Sequence, residues 1–125
     1  MAQHSFPSDE KLKSSKLISK LFNEGNSHFS YPIKFMYLLD KPQQWSKPQV
    51  GISVSSKIFK KAVDRNLIKR RMREAYRLNK SELLDFMKAE NVSFYGMFIY
   101  IAKEVISYQE IENGISKIIQ KMNTK

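Results

Sequence analysis

The chain has 125 residues, with 22 Lys and Arg against 12 Asp and Glu, a formal net charge of +10 and 42% hydrophobic residues. That composition suits one compact domain with a strongly cationic surface, and a pI near 9.8 makes nucleic acid, ahead of an anionic membrane surface, the expected partner class. No cysteine is present, which excludes disulfides, thiolate zinc sites and cysteine nucleophiles. No apolar run approaches the roughly 20 residues needed to span a bilayer. The N-terminus MAQHSFPSDEKLK lacks an apolar secretion segment, so a cytoplasmic protein is expected.

Residues 1–11 are polar, carry Pro7 and read as an N-terminal arm, leaving residues 12–123 as the domain. Leu17, Ile18, Leu21 and Phe22 predict a first helix over about residues 15–24, with Ser14 or Ser15 to cap it and Gly25 to end it in the left-handed region. In FSYPIKFMYLL, residues 29–39, Ile33, Phe35, Tyr37 and Leu39 alternate with Lys34, Met36 and Leu38. This is strand periodicity, and Pro32 marks a break after a short preceding strand. Residues 40–48, with Pro42, Pro48 and Trp45, read as a loop. Val50, Ile52 and Val54 alternate with Gly51, Ser53 and Ser55 in the next strand, and the two alternating segments read as a hairpin-like pair.

Residues 57–77, KIFKKAVDRNLIKRRMREAYR, hold nine Lys or Arg against Asp64 and Glu74, a local charge of +7. At 100° per residue, Ala62, Arg65, Asn66, Lys69, Arg70, Arg73 and Arg77 share an arc of roughly 140°. Leu67, Ile68, Met72, Ala75 and Leu78 fall on the opposite arc, so one side can enter a core while the other meets a polyanion. A merely solvated face mixes signs at i,i+4. Here Arg65, Lys69, Arg73 and Arg77 repeat one sign, a repulsion of several tenths of a kcal/mol per pair unless an anion relieves it.

Residues 80–89 keep a helical pattern, as a continuation or as a second short helix. FYGMFIYIA, residues 94–102, is the most hydrophobic run and reads as a central strand. Ile111, Ile115, Ile118, Ile119 and Met122 predict a last amphipathic helix over the sheet. The expected order is α-β-β-β-α-β-α, a single-domain α+β fold.

Catalytic residues are scarce. His4 and His28 stand outside any constellation and read as ordinary surface residues, and the acidic residues form no close pair that could hold two metal ions. Glu110 and Glu112 suit the start of the last helix, and the four glycines are too dispersed for a phosphate loop. A self-sufficient enzyme is not expected.

The segment AVDRNLIKRRMREA, residues 62–75, resembles the signature Ala-Val-x-Arg-Asn-x-x-Lys-Arg-x-x-Arg of the bacterial ribonuclease P protein subunit family. Residues 12–25, with Phe22 three positions before Gly25, are similar to that family's first helix. Tyr37 within FMYLLD and the strand VGISVS also match, so the likeness spans roughly residues 10–120.

The resemblance implies a two-layer α/β sandwich like the second domain of ribosomal protein S5. Its four-stranded sheet would join the third and fourth strands by a left-handed crossover, where about 98% of such connections are right-handed. It implies a cofactor that helps a catalytic RNA remove the 5′ leader of precursor tRNA, with Mg2+ held mainly by the RNA and no catalytic residue in the protein. On this likeness Lys61, Arg65, Asn66, Lys69, Arg70, Arg73 and Arg77 contact the catalytic RNA or tRNA. Ile18, Phe22, Phe35, Tyr37 and Ser53 line a leader cleft, although the same spacing of Phe22, Phe35 and Tyr37 also suits core packing.

Leu67 stands where the family often has Arg, with Arg71 as an extra charge beside the signature, and Phe59-Lys60-Lys61 replaces the usual glycine before Ala-Val. A structural ribosomal or other RNA-binding protein remains the alternative. It would share the basic helix but gives no reason for an aromatic cleft. Membrane and DNA are not expected partners.

Overall fold

The computed structural model describes residues 15–40 and 49–123, so the expected arm, His4 and the loop carrying Trp45 lie outside the described residues. The elements run α1 (Ser15–Glu24), β1 (Asn26–Ser30), β2 (Ile33–Asp40), β3 (Gln49–Val54), α2 (Ala62–Glu90), β4 (Ser93–Tyr100) and α3 (Tyr108–Asn123). This is the expected order. Helix α2 runs unbroken for 29 residues, because residues 62–90 contain neither glycine nor proline. It stops at Asn91, whose φ of 55° is left-handed, with the Asn91 N–H on the Lys88 carbonyl and the Val92 N–H on that of Met87.

The sheet order is β1-β2-β4-β3, with β1–β2 and β2–β4 antiparallel and β3–β4 parallel. The expected hairpin of β2 with β3 does not form. Strand β2 pairs instead with β1, across the turn at Tyr31 and Pro32. The very apolar β4 takes the position between β2 and β3, with ladder partners on both sides. Helix α2 is the connection between parallel β3 and β4.

Two faces follow from the two-residue period of the strands. On one, Ile33 and Phe35 of β2, Val50 and Val54 of β3, and Phe98 and Tyr100 of β4 pack against α2 and α3. Ile111, Ile115, Ile118 and Ile119 of α3 are all fully buried there, each contributing about 1.5–3 kcal/mol by leaving water. On the other face α1 seats Leu21 against Tyr95 and Met97, with Ile18, Met36, Leu38 and Ile99 around them.

The buried stripe of α2 runs Ile68, Met72, Ala75, Tyr76, Asn79, Leu83, Phe86 and Met87. Leu78, expected inside, is 56% exposed, because the second half of the helix turns the stripe toward Tyr76 and Asn79 and away from it. Leu67 is half-buried at the stripe's margin. The buried Asn79 amide donates to the Ala75 carbonyl at 2.8 Å and to the Glu112 carboxylate at 2.9 Å, tying α2 to α3. At the start of α3, Ser107 Oγ accepts the Glu110 N–H and donates to the Glu110 carboxylate, both at 3.3 Å, a reciprocal cap.

Gly25 does not take the expected left-handed conformation. Its N–H donates to the Leu21 carbonyl at 2.8 Å, and a Cβ there would collide with that same oxygen, so close approach explains the glycine. Gly96 in β4 has the same function against β2. A Cβ would lie 2.6 Å from Phe35 Cζ and 2.8 Å from the Met36 carbonyl oxygen, and neither the buried ring nor the backbone can retreat. Gly96→Ala is expected to destabilise the protein by about 1–3 kcal/mol, measurable as a lowered urea midpoint. An unchanged midpoint would contradict this packing.

Candidate nucleic-acid interface

Loop 55–61 delivers the chain into α2 and is held by short-range bonds. Ser55 Oγ accepts the Lys57 N–H at 3.1 Å and the Ile58 N–H at 3.3 Å, and the Phe59 N–H reaches the Ser55 carbonyl at 3.0 Å. The Phe59 ring is buried beside Tyr100. With the loop pinned from inside, Lys57, Lys60 and Lys61 stay exposed around the first turn of α2.

The seven RNA-contact residues expected from the sequence, five of them within the signature, all lie on this loop end and the outer face of α2, and none is buried. They are not equivalent. Arg65 Nη1 donates to the Phe59 carbonyl at 2.6 Å and to the Lys60 carbonyl at 3.1 Å, clasping the loop to the helix. Arg77 binds both Glu74 carboxylate oxygens through Nε and Nη2, and that hydrogen bond raises its pKa. Arg71, beside the signature, donates to the Ile106 carbonyl at 2.8 Å and so anchors the segment before α3.

Lys61, Asn66, Lys69, Arg70 and Arg73 make no side-chain hydrogen bond or ion pair among the described residues. Asn66 does not bond back to its own helix, the local alternative open to a helical Asn. The like-charged ladder is thus relieved at its ends, by carbonyls at Arg65 and by Glu74 at Arg77, and unrelieved in the middle at Lys69 and Arg73.

The five expected cleft residues are not brought together. Ile18, Phe22 and Ser53 belong to the α1 side of the sheet, whereas Phe35 and Tyr37 point to the α2/α3 side. Phe35 is fully buried and stacked on Phe98 at a centroid distance of 4.2 Å, so it is core and cannot meet a ligand. Tyr37 is half-buried, stacked on His28 at 5.4 Å, with its hydroxyl 3.2 Å from His28 Nε2. Burial raises the Tyr37 pKa; burial and then the nearby Lys121 ammonium lower that of His28. Strand alternation put Phe35 and Tyr37 on a shared face correctly, but nothing local to β2 says which face α1 covers.

Register reveals residues that the sequence reading missed. Phe29 pairs with Lys34, Lys34 with Ile99 and Ile99 with Ser53, which aligns these four across the whole sheet on the α1 side. Phe29 is 54% exposed at the β1 edge and Phe22 of α1 is 51% exposed. The pairing of β1 with β2 is the signal that would have found Phe29, since it sets Phe29 opposite a lysine already known to face away from Phe35. Among the described residues no three His, Cys, Asp or Glu side chains converge to hold a metal ion, and no helix is long and apolar enough to cross a membrane.

A family model described as Ribonuclease P matches residues 6–123 of the chain. The ribonuclease P protein component of Porphyromonas gingivalis is 32% identical over 108 residues, covering 86% of this chain and 79% of the relative. That of Pseudoalteromonas translucida is 30% identical over 125 residues, covering all of this chain and 82% of the relative. Among solved structures, the ribonuclease P protein from Thermotoga maritima superposes with a TM-score of 0.70 at 21% identity, covering 90% of this chain and 96% of that one. The Staphylococcus aureus protein gives 0.66 at 22% identity, with 90% and 94% covered. A signature-bearing cationic helix, a matching fold and family similarity over nearly the whole chain converge: this chain belongs to the ribonuclease P protein family.

Proposed function

We propose that this subunit of the tRNA 5′-processing endoribonuclease holds its RNA partner through Lys61, Asn66, Lys69, Arg70 and Arg73. The observation that carries the reading is that these donors have no side-chain partner among the described residues, whereas Arg65 and Arg77 on the same face each have one. A phosphate backbone supplies the missing anions and releases condensed counterions when it binds. Arg65 acts first as the clasp that sets the loop lysines, and Arg77 is the weakest contact because Glu74 competes for it.

The 5′ leader of precursor tRNA lies, on this reading, along the strip from Phe29 to Ser53 beside α1. Phe29 and Phe22 offer rings to unstacked bases and Lys34 offers an ammonium to a phosphate, a combination that holds single strands without demanding a sequence. Phe35 and Tyr37 take no part. Hydrolysis and the Mg2+ ions belong to the RNA subunit, and the complex acts in the cytoplasm. The chain's own contribution is binding and orientation.

Lys69→Ala and Arg73→Ala are each expected to weaken binding of the ribonuclease P RNA and to reduce the log–log salt slope by roughly one. Each should leave stability within about 0.5 kcal/mol. Arg65→Ala is expected to lose about 1 kcal/mol of stability as well, since it removes charge-assisted bonds to two carbonyls. Filter binding across a salt series, with urea unfolding of each variant, checks both; slopes that do not move would count against α2 as the contact surface.

For the leader strip, Phe29→Ala should reduce the preference for precursor over mature tRNA by about 5-fold or more, one stacked base being worth about 1–3 kcal/mol. Phe35→Leu should lower stability and leave that preference intact. The reverse pattern in competition binding would return the leader to the other face.

A further inference from the structure

Between the outer face of α2 and the start of α3 lies an open groove of about 350 Å³, lined by Arg70, Arg71, Glu74 and Tyr108, a volume within the range of small-molecule sites, about 300–1,000 Å³. Its walls are held in place before any ligand arrives. Arg71 is bonded to the Ile106 carbonyl. The Tyr100 hydroxyl fixes the same segment, donating to the Glu104 carbonyl at 2.7 Å and accepting from the Ile106 N–H at 2.9 Å. Glu74 is held by Arg77, and the Ser107 cap sets the first turn of α3 that carries Tyr108. Arg70 is different, being exposed and without a partner among the described residues.

We propose that this groove receives one unstacked nucleotide of the RNA bound by α2, its base against the Tyr108 ring and the arginine side chains and its phosphate on Arg70. The inference rests on the reading that the outer face of α2 meets RNA, and it adds a base site to a surface otherwise described by phosphate contacts. Three features select this occupant. The lining is more apolar than polar, which suits a base better than a free anion. Two guanidiniums against one carboxylate that Arg77 already neutralises leave the groove positive, which suits a nucleotide better than an apolar ligand. The groove is continuous with the proposed RNA surface through Arg70, which belongs to both.

Tyr108 packs on the core at its inner side, and its hydroxyl is enclosed without a hydrogen-bond partner. Burial, and then the carboxylates of Glu112 and Glu74, raise its pKa, so it meets RNA as a neutral ring at physiological pH. Nothing in the family signature marks Tyr108, which lies 35 positions beyond Arg73 in sequence.

The test is binding of the ribonuclease P RNA by wild type, Tyr108→Phe, Tyr108→Leu and Arg73→Ala across a salt series. Tyr108→Phe keeps the ring and should bind within about twofold of wild type. Tyr108→Leu keeps apolar filling without the ring and should bind about tenfold more weakly at an unchanged salt slope, because stacking releases no counterions. Full affinity of Tyr108→Leu while Arg73→Ala loses affinity and slope would overturn the base site and leave the RNA surface standing. Unaltered binding by both would overturn the surface itself. A loss in Tyr108→Phe as large as in Tyr108→Leu would overturn ring stacking. Should Tyr108→Leu not fold, 19F NMR of the wild-type protein carrying 3-fluorotyrosine, with the signal assigned by its loss in Tyr108→Phe, decides. Binding should shift that resonance, and a resonance unmoved by saturating RNA would overturn the proposal.

Discussion

Burial of one stripe of α2 between α3 and the sheet constrains most of what the molecule's surface can do. Ile68, Met72, Ala75 and Tyr76 fix the rotation of the helix about its axis, and Asn79 locks that rotation by bonding Glu112 of α3. Once the stripe is inside, Asn66, Lys69, Arg70 and Arg73 have nowhere to go but outward. Core and cationic face are therefore two consequences of a single packing event. A substitution that rotated α2 by even one position would disperse the cationic face as well as the core.

How the charges are partitioned matters as much as their number. A row of like charges on a helix costs a few tenths of a kcal/mol per i,i+4 pair, and among the described residues this is relieved at the two ends of the row and not between them. Arg65 turns to the carbonyls of Phe59 and Lys60, and Arg77 to Glu74. Relief of the whole row would have produced an ordinary solvated helix. Leaving Lys69 and Arg73 unrelieved accepts a small folding penalty and, on the proposed function, keeps a surface that phosphates would relieve. Arg65 makes this surface reproducible by holding the loop that carries Lys57, Lys60 and Lys61.

The pattern of legibility follows the range of the interactions. Periodicity located the helices and the strands β2 and β3, the unbroken apolar run of residues 94–102 located β4, and the isoleucines of α3 led directly to buried positions. The cationic face of α2 was legible because charge and helical spacing are local. Partner choice in the sheet was not: β3 reads as a hairpin mate for β2, yet it pairs with β4 because the most apolar strand takes the position with ladders on both sides. The same non-local choice misassigned Phe35, whose spacing is right but whose face is set by where α1 docks. Gly25 was recognised as a helix end for the wrong reason, since its need is close approach to the Leu21 carbonyl and not a left-handed φ. Tyr108 and Phe29 carry no local signal at all; only the meeting of distant elements gives them neighbours.

The most direct test is cleavage of a precursor tRNA by the cognate ribonuclease P RNA at low magnesium, with this protein, without it, and with the protein alone. A protein that binds and orients while the RNA performs hydrolysis predicts cleavage at the mature 5′ end only when both components are present. Cleavage by the protein alone, or no stimulation of the cognate RNA by the protein, would contradict it.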